Sequence, residues 1–454
     1  MNTYKYSKYN VLIDTDNENV ILFNSFSGGI IKLELKLYDN LVNNHFSNLK
    51  SQEIETLVQG GYIVQSDFDE SHRVERLFQN ECLNPKPELV TYVIAPTLRC
   101  NLNCIYCFQK NYRSNDSQRV SDKTLDNIIN FILKINKNNS NLKYIKINWF
   151  GGEPLLCYDA IVRLSCKIQK KLEPRGIKLL TGIITNGVLL DANKLSILKD
   201  KCCLRHLQIT IDGELETYCA KKQTTADVFK KVIDNIRLAT HYVETVVRLN
   251  ADKTNYEEIL RLVDFIYSMD INETNLKMHF AQLRNYTNDF GVENLYFDDF
   301  EYELKRKDFL RRQHHREHFL SKKKSGVPRF TGKLNCGLLP QFNFVIDGDG
   351  NLYKCEHHLG DDSKIVGDVI RGTINYPNYT QCINSINNDS RCKSCNLFPI
   401  CNYVQCTVMH EFCGEGKCKM YDVQLKVVKS RIKNYMREYT EDVETKEIKN
   451  QYGS

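Results

Sequence analysis

The sequence predicts an α/β protein built on a parallel sheet, and three observations carry that expectation. From Glu88 onward short apolar strands alternate with amphipathic helical stretches, as when crossover helices return each strand to one direction. Glycine-bearing turn motifs fall just after those strands, where the loops of a parallel sheet gather and ligands bind. After about Gly332 the alternation gives way to turn-rich sequence dense in cysteine.

Taken in order, residues 1–85 read as a small module of their own. Val11 to Ile13 and Val20 to Phe23 flank the polar turn Thr15 to Asn19, which predicts a hairpin. Helices are expected near Lys32 to Val42 and Ser51 to Gln59, closed by Gly60-Gly61 before a strand at Tyr62 to Val64. The whole reads as a winged-helix-like module, with the acidic stretch Asp67 to Glu75, Pro85 and Pro87 as linker.

Within 86–331 the strands fall near Val90 to Ala95, Tyr144 to Trp149, Leu179 to Thr185, Leu207 to Ile211, Thr245 to Asn250 and Leu276 to Phe280. Helices are expected near Ser121 to Lys137, Ala160 to Leu172, Ala192 to Asp200, Thr225 to Tyr242 and Glu257 to Tyr267. Such a series makes an incomplete barrel or a curved open sheet. Residues 332–440 read as a cluster-binding domain ended by a polar helix near Lys419 to Tyr439, and 441–454 as a charged tail.

Composition narrows the function classes. No apolar run approaches the roughly 20 residues of a membrane-spanning helix, and MNTYKYSKYN lacks a secretory core. A cytoplasmic protein with no membrane partner is expected. The net charge of +6 is interleaved along the chain, and the basic run Lys305 to Lys324 reads as a solvated helix face or loop, so no nucleic-acid partner is expected. Eighteen cysteines in such a chain point to metal rather than to disulfides.

The first cysteine group, Cys100-Asn-Leu-Asn-Cys104-Ile-Tyr-Cys107, directly follows the first strand of the βα series. Three thiolates so spaced can hold three irons of a 4Fe-4S cube and leave the fourth open, whereas a structural zinc site wants a fourth ligand. CxxxCxxC with Tyr106 before its last cysteine resembles the radical S-adenosylmethionine (SAM) superfamily. The resemblance implies a partial (β/α)6 TIM-like barrel, with SAM chelating the open iron and being cleaved by one electron to a 5′-deoxyadenosyl radical. It further implies that Gly151, Gly152 and Glu153 of GGEP hold the SAM ammonium, and that Thr185, Asn186, Thr210 and Asp212 line the SAM pocket at successive strand ends. Arg248 and Asn250 are expected at the SAM carboxylate or ribose, and Tyr106 and Phe108 near the adenine, unless Phe108 only shields the cluster.

Further on, Cys336, Cys355 with Gly350 before it, Cys392, Cys395, Cys401, Cys406, Cys413 and Cys418 resemble the SPASM extension of peptide and sulfatase maturases. By position Cys336, Cys355 and Cys406 would bind one auxiliary cluster and Cys392, Cys395, Cys401 and Cys418 the other, giving three 4Fe-4S clusters in all. The four-residue gap before Cys406 is one longer than the family usually shows. No cysteine between Cys219 and Cys336 supplies a fourth ligand for the first of these clusters, so either Cys382 or Cys413 folds back or an iron stays open to a substrate thiolate. Glu356, beside Cys355, matches a base of sulfatase maturases, or is a solvated loop carboxylate; His357 and His358 read as loop histidines. Cys82, Cys157, Cys166, Cys202, Cys203 and Cys219 read as packing residues.

The N-terminal module resembles the RiPP recognition element, which takes the leader of a ribosomal precursor peptide as an added strand; a purely structural cap is the other reading. The expected activity is therefore a radical SAM oxidoreductase that matures a leader-bearing peptide by a thioether or carbon–carbon crosslink, with flavodoxin or ferredoxin as reductant. Alternatives are a formylglycine-forming sulfatase maturase and a non-enzymatic electron-transfer or redox-sensing protein.

Overall fold

The computed structural model describes residues 4–112, 120–283, 295–313, 327–328, 330, 336–383, 390–401, 406, 418 and 420–452, excepting the side chains of 382–383 and 438–452. The chain divides into two compact units, one of Met1–Cys82, Lys323–Cys336 and Asn384–Ser454, the other of Leu83–Lys322 and Gly337–Ile383.

In the first unit β1 (Tyr4–Tyr6) pairs with β5 (Ile63–Gln65), and β2 (Asn10–Thr15), β3 (Asn19–Asn24) and β4 (Ile30–Glu34) form an antiparallel sheet in that order. The expected hairpin is present. The first expected helix is shorter, because Ile30 to Glu34 continues the ladder opposite Asn19 to Phe23 and only Leu35–Val42 (α1) is helical. α2 covers Ser51–Gln59. The stretch expected to be linker is instead the start of α3 (Glu70–Cys82). Its acidity is a helix-start signal: Asp69 Oδ1 accepts from His72 N at 3.0 Å, and buried Glu70 accepts from Lys8 N at 3.0 Å.

The same unit packs its N-terminal elements on the C-terminal cysteine region. Tyr9, Val74, Phe78 and Phe398 share a core with partly buried Cys392, Cys395 and Cys401. Val11, Ile13 and Phe23 pack with Leu397, Val428 and Ile432, the last two on the terminal helix Tyr421–Tyr452. Thus 332–440 does not stand as one body of its own: Cys336 and residues after Asn384 join the N-terminal elements, and Gly337–Ile383 joins the large sheet. The physical reason is a shared core, which composition along the chain does not reveal.

The second unit is built on β6 (Leu89–Ile94), β7 (Tyr144–Trp149), β8 (Lys178–Thr185), β9 (Leu204–Ile211), β10 (Glu244–Ala251) and β11 (Leu276–Gln282), all parallel. They lie in sequence order without reversal. Right-handed crossovers then place every connecting helix on one face, which is barrel rather than doubly wound topology. Those helices are α4 (Asp122–Ile135), α5 (Tyr158–Leu172), α6 (Ala192–Cys202), α7 (Leu215–Lys222), α8 (Ala226–Thr240) and α9 (Tyr256–Tyr267). Ser121 and Asp191 cap α4 and α6 by accepting from Thr124 N at 3.0 Å and Lys194 N at 2.8 Å. Beyond β6 the sheet continues through β12 (Phe344–Ile346), parallel to β6, and then antiparallel β13 (Asn351–Tyr353), β14 (Gly367–Asp368) and β15 (Gly372–Thr373). α10 (Asp299–Arg312) follows β11 and contains the first part of the basic run, whose residues from 314 to 324 lie outside the described ones.

Alternation sorts the strand residues into two environments. Ile145, Ile147, Trp149, Leu207, Ile209, Ile211, Val247 and Leu249 belong to the helix-packed core. Their neighbours Lys146, Asn148, His206, Gln208, Thr210, Arg248, Lys277 and His279 are half-buried. A polar strand face with no helix layer is the lining of a site rather than a core.

Candidate functional site

The cysteine loop leaves β6 and is braced by three later motifs. Gly152 N donates to Thr97 O at 3.1 Å and Glu153 N to Arg99 O at 2.7 Å. A Cβ on Gly152 would stand 2.1 Å from Arg99 O, and one on Gly151, at φ +106°, 2.4 Å from Thr97 O. Both glycines therefore make room for the cysteine loop.

Glu153 extends this bracing. Its buried carboxylate accepts from Leu155 N at 3.0 Å, the Thr185 hydroxyl at 2.8 Å and Asn186 N at 2.9 Å. Burial raises its pKa to about 7, against the pull of these donors. It joins the second strand end to the third. Asn186 passes the brace back, with Nδ2 at 2.7 Å from Asn101 Oδ1 and 3.7 Å from Cys100 Sγ.

On the far side, the last turn of α7 holds the loop. Asn103 N donates to Lys222 O at 3.3 Å and Ile105 N to Lys221 O at 3.0 Å, so orphan helix carbonyls are satisfied by the cysteine segment. Lys222 Nζ lies 2.7 Å from Tyr106 Oη and 3.0 Å from Asp212 Oδ2, and Tyr106 donates its hydroxyl to the same oxygen. Burial would lower the Lys222 pKa, but Asp212, with Cys104 and Tyr106, outweighs it and keeps the ammonium charged. Asn255 Nδ2 donates to Asp212 O at 2.6 Å and Asn250 O at 2.9 Å, and Lys221 pairs with Asp252 at 2.5 Å. Sequence reasoning missed Lys221, Lys222, Asp252 and Asn255. A lysine pair ending a helix reads as a dipole complement, and nothing local marks it otherwise.

Cys100, Cys104 and Cys107 are all half-buried and in no disulfide, and burial pushes the Cys104 thiol up to about 11. Among the described residues no three His, Cys, Asp or Glu side chains converge as on a single ion. Thiolates on separate corners of a cube stand farther apart than ligands of one ion, so three reduced thiols on one braced loop fit a 4Fe-4S cube. Asp212 Oδ1, buried and without a hydrogen-bond partner, faces this region as an acceptor in reserve. Residues 94–266 match the Radical SAM superfamily.

The chain carries a radical SAM domain. Enzymes of this superfamily bind SAM and a 4Fe-4S cluster. The chain is 22% identical to the radical SAM cyclopropyl synthase TigE of Paramaledivibacter caminithermalis, over 95% of this chain and 97% of that protein. It is 25% identical to a cysteine-type anaerobic sulfatase-maturating enzyme of Clostridium novyi, over 66% and 83% of the two chains. The structure of native anSMEcpe with bound AdoMet and Cp18Cys peptide superposes with a TM-score of 0.52 at 18% identity, covering 76% of this radical SAM chain and 99% of that one. That likeness shows the fold.

The remaining candidates fall into separate places. In the second unit, Phe108 packs on Phe150 and, edge-on at 4.6 Å, on His357, whose pKa burial lowers to about 4. Cys355 lies two residues past β13, beyond the turn where Gly350 has φ +89°, and burial raises the pKa of its neighbour Glu356 while Arg248 opposes. Thr210 and Arg248 are ladder partners one step below the rim residues Asp212 and Asn250. In the first unit, Cys392, Cys395, Cys401 and Cys418 line one cavity with Leu397, Phe398 and Tyr421. Cys336 and Cys406 also belong to the first unit, Cys355 to the second, and Cys413 lies outside the described residues. The Cys382 side chain lies outside them too. No helix among the described residues is long and apolar enough to cross a membrane.

Proposed function

We propose that this radical SAM enzyme matures a ribosomally made precursor peptide, abstracting a hydrogen and closing a thioether or carbon–carbon crosslink. The observation that carries the reading is the cysteine loop locked to the second, third and fourth strand ends above a polar strand face. Bound SAM and its cluster would supply the 5′-deoxyadenosyl radical. The chain's own part is to fix the three thiols, to exclude water with Phe108 and Phe150, and to offer Tyr106, Thr185, Asn186, Thr210, Asp212 and Asn250 toward the cofactor. Glu356 is proposed as the base that would take the thiol proton as the carbon–sulfur bond forms, the carbon having lost its hydrogen atom to the radical and the remaining electron passing to an iron–sulfur cluster.

The cysteines that share one cavity, Cys392, Cys395, Cys401 and Cys418, support an auxiliary cluster within the first unit. Their shell of Tyr9, Phe78 and Phe398 would keep water from it. In the same unit β4 pairs on one side only among the described residues, with β3, which leaves an edge for a leader strand. A flavodoxin or ferredoxin would supply the electron.

Anaerobic incubation of the reconstituted protein with SAM and dithionite should release 5′-deoxyadenosine. None from a preparation with full iron content would end the reading. A sulfatase-maturase activity is the second reading, favoured by Glu356 beside Cys355. Mass spectrometry separates them: a thioether product keeps its sulfur and loses two hydrogens, whereas formylglycine made from cysteine loses the sulfur.

A further inference from the structure

The polar strand face carries a group of charges that bracing the cysteine loop does not use. Arg248 of β10 and His279 of β11 are direct ladder partners, so their side chains stand side by side on that face. Arg306 of α10 approaches the same imidazole, and burial together with Arg248 and Arg306 lowers the His279 pKa to about 4. At neutral pH the imidazole is therefore an uncharged donor and acceptor. Arg306 is already met by buried Glu303 at 3.6 Å. Arg248 gives Nε to Asn250 Oδ1 at 2.9 Å and belongs to no ion pair among the described residues. Glu356 lies near enough to be influenced by Arg248 without pairing to it.

We propose that Arg248, His279 and Arg306 form a subsite for a carboxylate of the substrate, one ladder step below the SAM-facing rim at Asn250. This rests on the peptide-maturase reading and deepens it: the segment entering the site carries an acidic side chain or a free C-terminus beside the reacting residue. The charge balance selects a monoanion. One guanidinium is unspent, the second is matched by Glu303, and Glu356 across from Arg248 repels a dianion such as a phosphomonoester. Arg248 thus serves the substrate rather than the SAM carboxylate that its strand-end position led us to expect. Arg248 stands beside His279 two residues before Asn250, whereas Asn250 Nδ2 lies 3.5 Å from Tyr106 Oη.

The test is equilibrium binding of blocked tripeptides to the reconstituted, SAM-loaded protein under anaerobic conditions, which needs no turnover. Acetyl-Ala-Glu-Ala-amide should bind about tenfold more tightly than acetyl-Ala-Gln-Ala-amide. Acetyl-Ala-Gln-Ala with a free C-terminus tells the two carboxylate sources apart, and tighter binding of either acid supports the subsite. Arg306→Gln and His279→Asn should each erase most of the preference, and Arg306→Lys should keep it. Equal binding of all three peptides by the unaltered protein overturns the proposal even if a variant fails to fold. So does a preference that survives Arg306→Gln, or an Arg306→Gln loss confined to SAM affinity. Release of 5′-deoxyadenosine, measured separately, reports on the peptide-maturase reading and is independent of this preference.

Discussion

Glu153 is tied by hydrogen bonds to two successive strand ends. Its carboxylate is buried beneath three donors and its pKa is raised to about 7. A carboxyl raised above its unfolded value stabilises the fold fully below the unfolded pKa, near 4.5, and loses that contribution as pH rises through about 7. The difference in unfolding free energy between the protein and Glu153→Gln, measured by urea titration from pH 5 to 8, should therefore change by about 2.5 kcal/mol in that direction. Lys222 makes the complementary case. Lys222→Met leaves Asp212 buried without its cation, and a loss of roughly 3 kcal/mol or more is expected, with reduced iron retention on Cys100, Cys104 and Cys107 measured by colorimetric iron assay. The cysteine triad and the strand-end motifs were legible because the residues of each lie close together along the chain. Lys222 was not, because its partner Tyr106 lies 116 residues away in sequence and nothing local marks Asp212 as its counter-ion.

At the scale of elements, the six parallel strands fall where apolar runs predicted them, since each must present one face to a helix layer. The errors lie at polar boundaries. α3 was read as linker because its acidic first turn resembles solvated chain until Asp69 and Glu70 are seen capping it and tying it to Lys8. The junction between β7 and the cysteine loop gives the sharpest element-level prediction. Gly152→Ala places a methyl 2.1 Å from Arg99 O and 2.4 Å from Leu98 O, both backbone atoms that cannot swing aside. A cost of about 1–3 kcal/mol is expected, and the cluster's absorbance near the visible charge-transfer bands should fall even where the sheet's circular dichroism is kept.

For the whole molecule, the division into two units changes what truncation would do. Removing residues 1–82 would uncover Leu397, Phe398, Val428 and Ile432, each nearly wholly buried with N-terminal partners. Each large apolar side chain so exposed costs roughly 1.5–3 kcal/mol. The truncated protein should therefore lose iron from the Cys392, Cys395, Cys401 and Cys418 cavity, read as a lower iron-to-protein ratio, while the large sheet stays folded by hydrogen exchange. A module that served only to bind a leader would leave that ratio unchanged.

Sequence by itself determined the α/β class, the positions of the parallel strands and the close spacing of three cysteines in the loop after the first of them, because strand periodicity and local spacing are read directly along the chain. Tertiary structure alone decided that the GGEP glycines serve the cysteine loop, that Lys222 and Asp212 hold it from the other side, and that the N-terminal elements share a core with the last cysteines. Those facts depend on which distant segments exclude water together, and burial of that kind has no signature in the spacing of residues along the chain.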